Sequence, residues 1–176
     1  TSNGDQTLTD TDLVGVGSDT LTGIETASLT GGAAANTIDA SGFSGSTTLS
    51  GGDGADSLIG GSGTDSMLGE AGNDSLIGGA GDDILSGGAD DDSIAGSSGT
   101  DKIVQSINAD QALTDTSLTG QGTDTLSGIE SADLTGGAAA NTIDATGFSG
   151  TATITGGAAN DTLTGGSGND SLLGED

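Results

Sequence analysis

Residues 51–104 read GGDGADSLI, GGSGTDSML, GEAGNDSLI, GGAGDDILS, GGADDDSIA and GSSGTDKIV, six nine-residue phrases with no spacer between them. Every phrase has an aspartate in its sixth place (Asp56, Asp65, Asp74, Asp83, Asp92, Asp101) and an apolar residue in its eighth (Leu58, Met67, Leu76, Leu85, Ile94, Ile103). The glycine-rich first halves specify tight turns. The second halves, such as Ser57-Leu58-Ile59, specify three-residue strands whose middle side chain points in while its neighbours point out. Self-similarity at a fixed short period is the mark of a solenoid. The expected fold is all-β, a parallel β-roll or β-helix with short strands and metal-bearing turns, in which stacked copies lie at the ~4.8 Å strand spacing.

Composition says what must hold such a coil together. The chain has 176 residues, a net charge of −26, one basic residue (Lys102), 36 glycines, two Phe, one Met and no Trp, Tyr, His or Cys. Leu, Ile, Val and Phe make up about 18% of it, a value that with this charge normally signals disorder. Burial of apolar surface cannot fold it alone, and no disulfide is available. Divalent cations cancel the carboxylate repulsion that would otherwise hold the chain open. The negative charge excludes nucleic acid and acidic membranes as partners, and no run approaches the ~20 apolar residues of a membrane span. Helix is not expected anywhere, because glycine recurs throughout and no apolar 3.6-residue period survives.

A longer repeat encloses the short one. Asp5–Ala71 aligns without a gap onto Asp110–Asp176, a period of 105 residues with about two thirds of positions identical. The chain divides into metal-poor coils over 1–50, a metal-type block over 51–104, metal-poor coils over 105–155 and a second metal-type block beginning at 156–176. One continuous solenoid, taken from a longer tandem array, is the expected organisation. Val14–Thr22 and Thr119–Ser127 keep the nine-residue frame, with Asp19 and Asp124 in the sixth place. Asn36 and Asn141 stand where an aspartate belongs, and Phe43 and Phe148 fall in stretches two residues longer. These segments are expected to be further coils that have lost charged ligands and are filled by larger apolar groups.

Glycine at the first, second and fourth places lets the backbone turn tightly and direct carbonyls inward. A hard cation such as Ca2+ takes six to eight oxygens from carboxylates and carbonyls at about 2.3–2.6 Å, more than one loop supplies. A loop stacked on it completes the set. The absence of His and Cys argues against zinc, copper and iron–sulfur chemistry, and Mg2+ prefers a smaller, water-rich shell. Several Ca2+ ions are therefore expected, on Asp56, Asp65, Asp74, Asp83, Asp92, Asp101, Asp161 and Asp170. Carbonyls are expected from the turns around Gly52, Gly54, Gly61, Gly63, Gly72, Gly79, Gly81 and Gly88. Further oxygen donors at the turns are Asp53, Asn73, Asp82, Asp90 and Asp91. Asp19 and Asp124 stand apart from adjacent acidic repeats and read equally as ligands or as solvated surface.

The tandem phrase GGxGxDxUx, with U apolar, resembles the signature of the RTX (repeats-in-toxin) family of calcium-binding β-roll proteins. The resemblance implies that successive phrases form alternate sides of a right-handed parallel roll, each Ca2+ lying between loops two phrases apart. That pairs Asp56 with Asp74 and Asp74 with Asp92 on one edge, and Asp65 with Asp83 and Asp83 with Asp101 on the other. Asp161 and Asp170 fall on opposite edges and need partners elsewhere. Departures from the pattern are Glu70, Glu175 and Ser97 at second places, and Asp90 and Ala159 at fourth places; these are expected to alter their sites.

The function expected is a calcium-folded structural repeat region of a large secreted or cell-surface bacterial protein of adhesin, surface-layer, matrix or filament type. The alternative is a calcium-triggered folding and export module of an RTX hydrolase or toxin, and a distant third is an ice-binding solenoid, whose outward Thr or Asn ladder is broken here. Without a Ser–His pair, a thiolate or a zinc motif, no enzyme activity is expected. The outward ninth-place residues Ile59, Leu68, Ile77 and Val104 suggest a lateral interface for self-association, side by side or end to end.

Overall fold

The computed structural model describes residues 4–15 and 17–175, apart from the side chains of 17–19. Among the described residues there is no helix. The strands form two sheets, one of 12 strands and one of 8, and the chain passes back and forth between them. Successive phrases alternate: Ser57–Ile59, Ser75–Ala80 and Ser93–Ser98 lie on the wide sheet, whereas Ser66–Ala71, Ile84–Ala89 and Lys102–Ser106 lie on the narrow one. Register is set by the 18-residue coil, so that Leu58 pairs with Leu76 and Leu76 with Ile94. On the other sheet Met67 pairs with Leu85 and Leu85 with Ile103. All six of these eighth-place side chains are buried, as the alternation demands. They form two files of apolar groups, one from each sheet, within a single core cluster.

Strands run longer than the three residues expected. Ser66–Ala71 and Ile84–Ala89 extend through the next phrase's first three places, because pairing resumes past the turn at Gly88↔Glu70 and Ala89↔Ala71. The coils over 31–50 and 136–155 are two residues longer than those of the block, pairing Ile38 with Leu58 and Leu29 with Leu49. The extra length brings Phe43 and Phe148 fully into the core, beside Ala40 and Ala145. Each Phe N–H donates to the alanine carbonyl three residues back, at 2.9 Å, which closes a tight turn around the ring.

Val14–Thr22 and Thr119–Ser127 depart from the plain coil expected of them. Gln111–Thr114, Ser117–Thr119 and Thr123–Ser127 form an antiparallel meander inside the wide sheet, through Leu113↔Leu118 and Leu118↔Asp124. Its last strand pairs in parallel with Ser93–Ser98, and its first with Thr142–Gly147. The wide sheet therefore takes three strands where the narrow sheet takes one, Ser131–Thr135. Gln6–Thr9, Asp12–Gly15 and Gly17–Thr20 repeat the arrangement in the first module. The hairpin in each is organised by a threonine: Thr114 Oγ1 accepts the N–H groups of Thr116 and Ser117, and Thr9 Oγ1 those of Thr11 and Asp12. Buried glutamines fasten the meander: Gln111 Nε2 donates to Thr135 O at 2.9 Å and Gln105 Nε2 to Thr119 O at 3.1 Å.

Candidate metal centres along the two edges

The turns between sheets stack into two edges, and each edge holds a column of aspartates. On one, Asn36 N–H donates to Asp56 Oδ1, Asp56 N–H to Asp74 Oδ1, Asp74 N–H to Asp92 Oδ1 and Asp92 N–H to Asp124 Oδ1. On the other, Thr47 N–H donates to Asp65 Oδ1, Asp65 N–H to Asp83 Oδ1 and Asp83 N–H to Asp101 Oδ1. These contacts span 2.6–3.1 Å. The structure thus stacks the aspartates in the same pairs that the resemblance implies. Asp161 and Asp170 lie on opposite edges, where they accept Asn141 N–H and Ala152 N–H, each at 2.8 Å.

One oxygen of each carboxylate is spoken for, and the other is bare. Asp56, Asp74, Asp83, Asp92, Asp101 and Asp161 each have a buried Oδ2 with no hydrogen-bond partner. Asp65 differs, since its Oδ2 accepts Gly61 N–H at 2.7 Å. A buried, unpartnered carboxylate oxygen is costly, and a column of them repels itself. Burial accordingly pushes Asp74, Asp83, Asp92 and Asp124 up to about 6, the backbone N–H bond pulling the other way and neighbouring carboxylates adding to the rise. Asp56 and Asp101 are raised for the same leading reason. The single basic residue gives no relief, because Lys102 Nζ pairs with Asp133 Oδ2 at 2.9 Å on the narrow sheet.

The first-place glycines explain where the bare oxygens point. A Cβ on Gly51 would overlap Asp56 Oδ2 and the carbonyl of Gly69. The same holds at Gly60 for Asp65 Oδ2 and Gly78 O, at Gly69 for Asp74 Oδ2 and Gly87 O, and at Gly78 for Asp83 Oδ2 and Gly96 O. Each of these four glycines is a cradle into which a carboxylate oxygen and a carbonyl of the next coil converge, and at Gly87, Gly156 and Gly165 the aspartate Oδ2 comes nearest. These glycines are needed for space and not for backbone hand. Left-handed backbone falls instead at second and fourth places, as at Gly52, Gly54, Gly72, Gly79, Gly81 and Gly88, though not at Gly61 or Gly63. Glu70, Ser97, Asp90 and Ala159 hold the same left-handed conformation, with φ of 78–82°, despite their side chains.

Among the described residues no three carboxylates converge on one point. A cation here must draw mostly on carbonyls, with an aspartate from each of two stacked coils, and that donor set suits a hard ion such as Ca2+. The carbonyls sequence reasoning singled out are only part of it: Gly61 O already accepts Ala80 N–H at 3.0 Å, whereas the first-place carbonyls of Gly69, Gly78, Gly87 and Gly96 face the cradles. Asp53, Asn73, Asp82, Asp90 and Asp91 are exposed on the turn rims. Three of them brace neighbouring coils, Asp82 Oδ1 accepting Thr100 N–H, Asp91 Oδ1 accepting Thr123 N–H and Asn73 Oδ1 accepting Asp91 N–H. Asp124 is buried at the end of its column, and the Asp19 carboxylate lies outside the described residues. Sequence reasoning missed Glu130, whose Oε2 accepts Asp101 N–H at 2.9 Å. Its signal was an acid kept in both copies of the longer repeat, Glu25 and Glu130, inside a stretch otherwise poor in ligands.

The outward apolar residues divide between the sheets. Ile59 and Ile77 are neighbours on the wide sheet. Leu68 lies on the narrow sheet between Ser50 and Ser86, and Val104 on the same sheet beside Asp133. Ile84, which sequence reasoning passed over, is as exposed as Leu68. Among the described residues no helix is long and apolar enough to cross a membrane.

The family model described as the RTX calcium-binding nonapeptide repeat (4 copies) matches residues 41–76, 68–103 and 146–176, together more than half of the chain. No curated protein matches the sequence. The match begins ahead of the exact phrase, taking in the half-coil that holds Phe43. With two stacked columns of aspartates, bare oxygens aimed into glycine cradles and a family match over the same residues, the chain belongs to the RTX calcium-binding nonapeptide repeat family and is a calcium-binding β-roll.

Proposed function

We propose that this chain is a calcium-folded structural spacer within a large secreted or cell-surface bacterial protein of adhesin, surface-layer, matrix or filament type. The observation behind this reading is the duplication of a whole architectural unit inside the same two sheets. Meander, Phe-filled coil and aspartate block recur at 105 residues, so one module stacks directly on the next. A catalytic scaffold has no need of such translation, whereas an extended stalk is built by it.

The ions would lie at the glycine cradles, held by Oδ2 of Asp56, Asp65, Asp74, Asp83, Asp92, Asp101, Asp161 and Asp170 with carbonyls of the stacked coil. At submicromolar cytosolic Ca2+ the columns repel and the aspartate block stays unfolded, a form suited to export. At millimolar extracellular Ca2+ it folds, because an ion that binds only the folded form stabilises it by about 2.7 kcal/mol per independent site at 100 times Kd. Circular dichroism during a calcium titration tests this. The β signal should rise cooperatively between micromolar and millimolar Ca2+ and fall on chelation to the part carried by the Phe-bearing coils. A full β signal in excess chelator at neutral pH overturns the reading.

A further inference from the structure

The cradles at Gly51, Gly60, Gly69 and Gly78 follow one rule: an aspartate Oδ2 meets the first-place glycine carbonyl 18 residues beyond its own cradle, as at Gly69 with Gly87 and Gly78 with Gly96. The cradle at Gly96 breaks the spacing. A Cβ on Gly96 would overlap Asp101 Oδ2 and the carbonyl of Gly128, which lies beyond the last residue of the block's family match. Asp101 is fully buried and its Oδ2 has no partner. Its N–H, which elsewhere in the column would meet the next aspartate, donates instead to Glu130 Oε2. In the nine-residue phrase the aspartate follows the first glycine by five places; Glu130 follows Gly128 by only two. The left-handed turn at Gly128, φ 61°, and the longer glutamate side chain close the difference.

We propose that Gly96, Asp101, Gly128 and Glu130 form a binding site for a hard divalent cation of the Ca2+ class, one that clamps the segment after the block onto the block's last coil. Asp101, Glu130 and nearby Asp82 bring only negative charge, and the one lysine is turned to Asp133. The cation supplies what the protein lacks there. The backbone is already arranged to transmit the clamp, since both Glu130 N–H and Ser131 N–H donate to Asp101 O. Ser131 then opens the strand that continues the narrow sheet. This site rests on the calcium reading of the block, and extends it to residues outside the nine-residue phrase. In the first module Gly23 has the same left-handed turn, φ 64°, and Glu25 the same position, but Thr26–Thr30 is the outermost strand of the narrow sheet and no aspartate coil of this chain stacks on Glu25, which makes it a control.

Native mass spectrometry of the 176-residue chain in saturating Ca2+ counts the ions held. Glu130→Gln, which keeps an oxygen to accept Asp101 N–H, should hold one ion fewer than the wild-type chain, and Glu25→Gln the same number as wild type. An unchanged count in Glu130→Gln overturns the junction site while leaving the block's sites standing. A wild-type chain that holds no Ca2+ removes the calcium reading itself. Amide exchange on the wild-type chain decides the matter if Glu130→Gln does not fold. Glu130 and Ser131 amides should slow at the same Ca2+ concentration as the Lys102 amide inside the block. Protection at Lys102 without protection at Glu130 and Ser131 overturns the clamp.

Discussion

The aspartate block over 51–104 and the Phe-bearing coils over 31–50 and 136–155 run in the same two sheets, yet they solve the same problem by opposite means. In both, the turn must give its backbone N–H groups an acceptor and fill the space beside a first-place glycine. In the coils Asn36 and Asn141 do so with a neutral amide, Oδ1 accepting Gly32 N–H at 2.7 Å and Gly137 N–H at 2.9 Å. At the opposite edge of the same coils a buried aromatic ring fills the turn. In the block a carboxylate with one bare oxygen stands in the same place, and no ring is present. One region carries no unpartnered charge, although Asn36 Nδ2 is buried without a partner; the other is left incomplete until a cation arrives. A β-solenoid with so thin a core can thus be made partly constitutive and partly conditional by changing one residue per turn.

The sharpest way to break this comparison is to remove the ring. Phe148→Ala should cost about 3–5 kcal/mol, as large-to-small changes in sealed cores do, and by the same amount at every Ca2+ concentration. Asp83→Asn should act conditionally. The side chain can still accept Asp65 N–H, but the charge is gone. In Ca2+ the folding midpoint should move to roughly tenfold higher concentration, since ligand charge sets the affinity of such sites. Without Ca2+ the same variant should be more stable than wild type, because a buried, repelled carboxylate has been neutralised. Thermal melts of both variants with and without chelator read this directly. An Asp83→Asn variant destabilised equally in both conditions would show the aspartate to be a structural hydrogen-bond acceptor and nothing more.

Acid should imitate the asparagine. Asp74, Asp83, Asp92 and Asp124 sit at about 6 in the calcium-free fold, raised chiefly by burial, against 3.8 for the ordinary group. A folded-state value above the unfolded one means that the fold binds the extra protons. The stability this confers is complete below pH ~4 and is lost as pH rises through ~6. In chelator, more β signal should therefore be present at pH 5 than at pH 7.5. Ca2+ must displace those protons, so the calcium midpoint should rise as pH falls below ~6. A chelated chain with more β signal at pH 7.5 than at pH 5 would contradict the column's protonation. Asp144, held low by the Thr146 N–H and hydroxyl, titrates below this window and does not cloud it.

How far the sequence could be read follows the same division. Within the block, period and chemistry coincide: the eighth-place residues are buried and the sixth-place aspartates stack, because nine residues per half-coil leave no freedom of register. The Phe-bearing coils were legible from a two-residue excess and an aromatic. The meanders were not. The turns of Leu8–Leu13 and Leu113–Leu118 lack the Asn-Gly or Asp-Gly signature of a tight hairpin, and depend on threonine hydroxyls accepting N–H groups. The frame of nine continues through Thr119–Ser127 and delivers Asp124 to its column, so the pattern there is real while the topology differs. Glu130 escaped because it reaches the other column from outside the phrase, where no periodicity announces it. The buried glutamines escaped for a related reason, since composition marks Gln as surface and only the seam between meander and narrow sheet gives its amide partners.

The finest distinction concerns the four residues that occupy glycine places without being glycine. Glu70, Ser97, Asp90 and Ala159 all hold left-handed backbone. That conformation costs a non-glycine residue roughly 1–2 kcal/mol, part of which glycine gives back through the greater freedom of its unfolded chain. Glu70 recovers something by accepting a hydrogen bond from Ser50 Oγ, so relief there is partial. Ser97 and Ala159 are exposed and have no such compensation among the side-chain hydrogen bonds of the described residues. Ser97→Gly and Ala159→Gly should each stabilise the calcium-loaded chain by about 0.5–1 kcal/mol, measured as a shift in denaturant midpoint at fixed Ca2+. Ser97 lies in the turn that opens with the Gly96 cradle, whereas Ala159 lies in the turn of Asp161. If backbone strain is all that separates these residues from glycine, the two gains will be alike and neither calcium midpoint will move beyond what the added stability requires. A Ser97→Gly gain that disappears in chelator, beside an Ala159→Gly gain that persists, would instead mean that the strain at Ser97 is exerted on the ion's cradle.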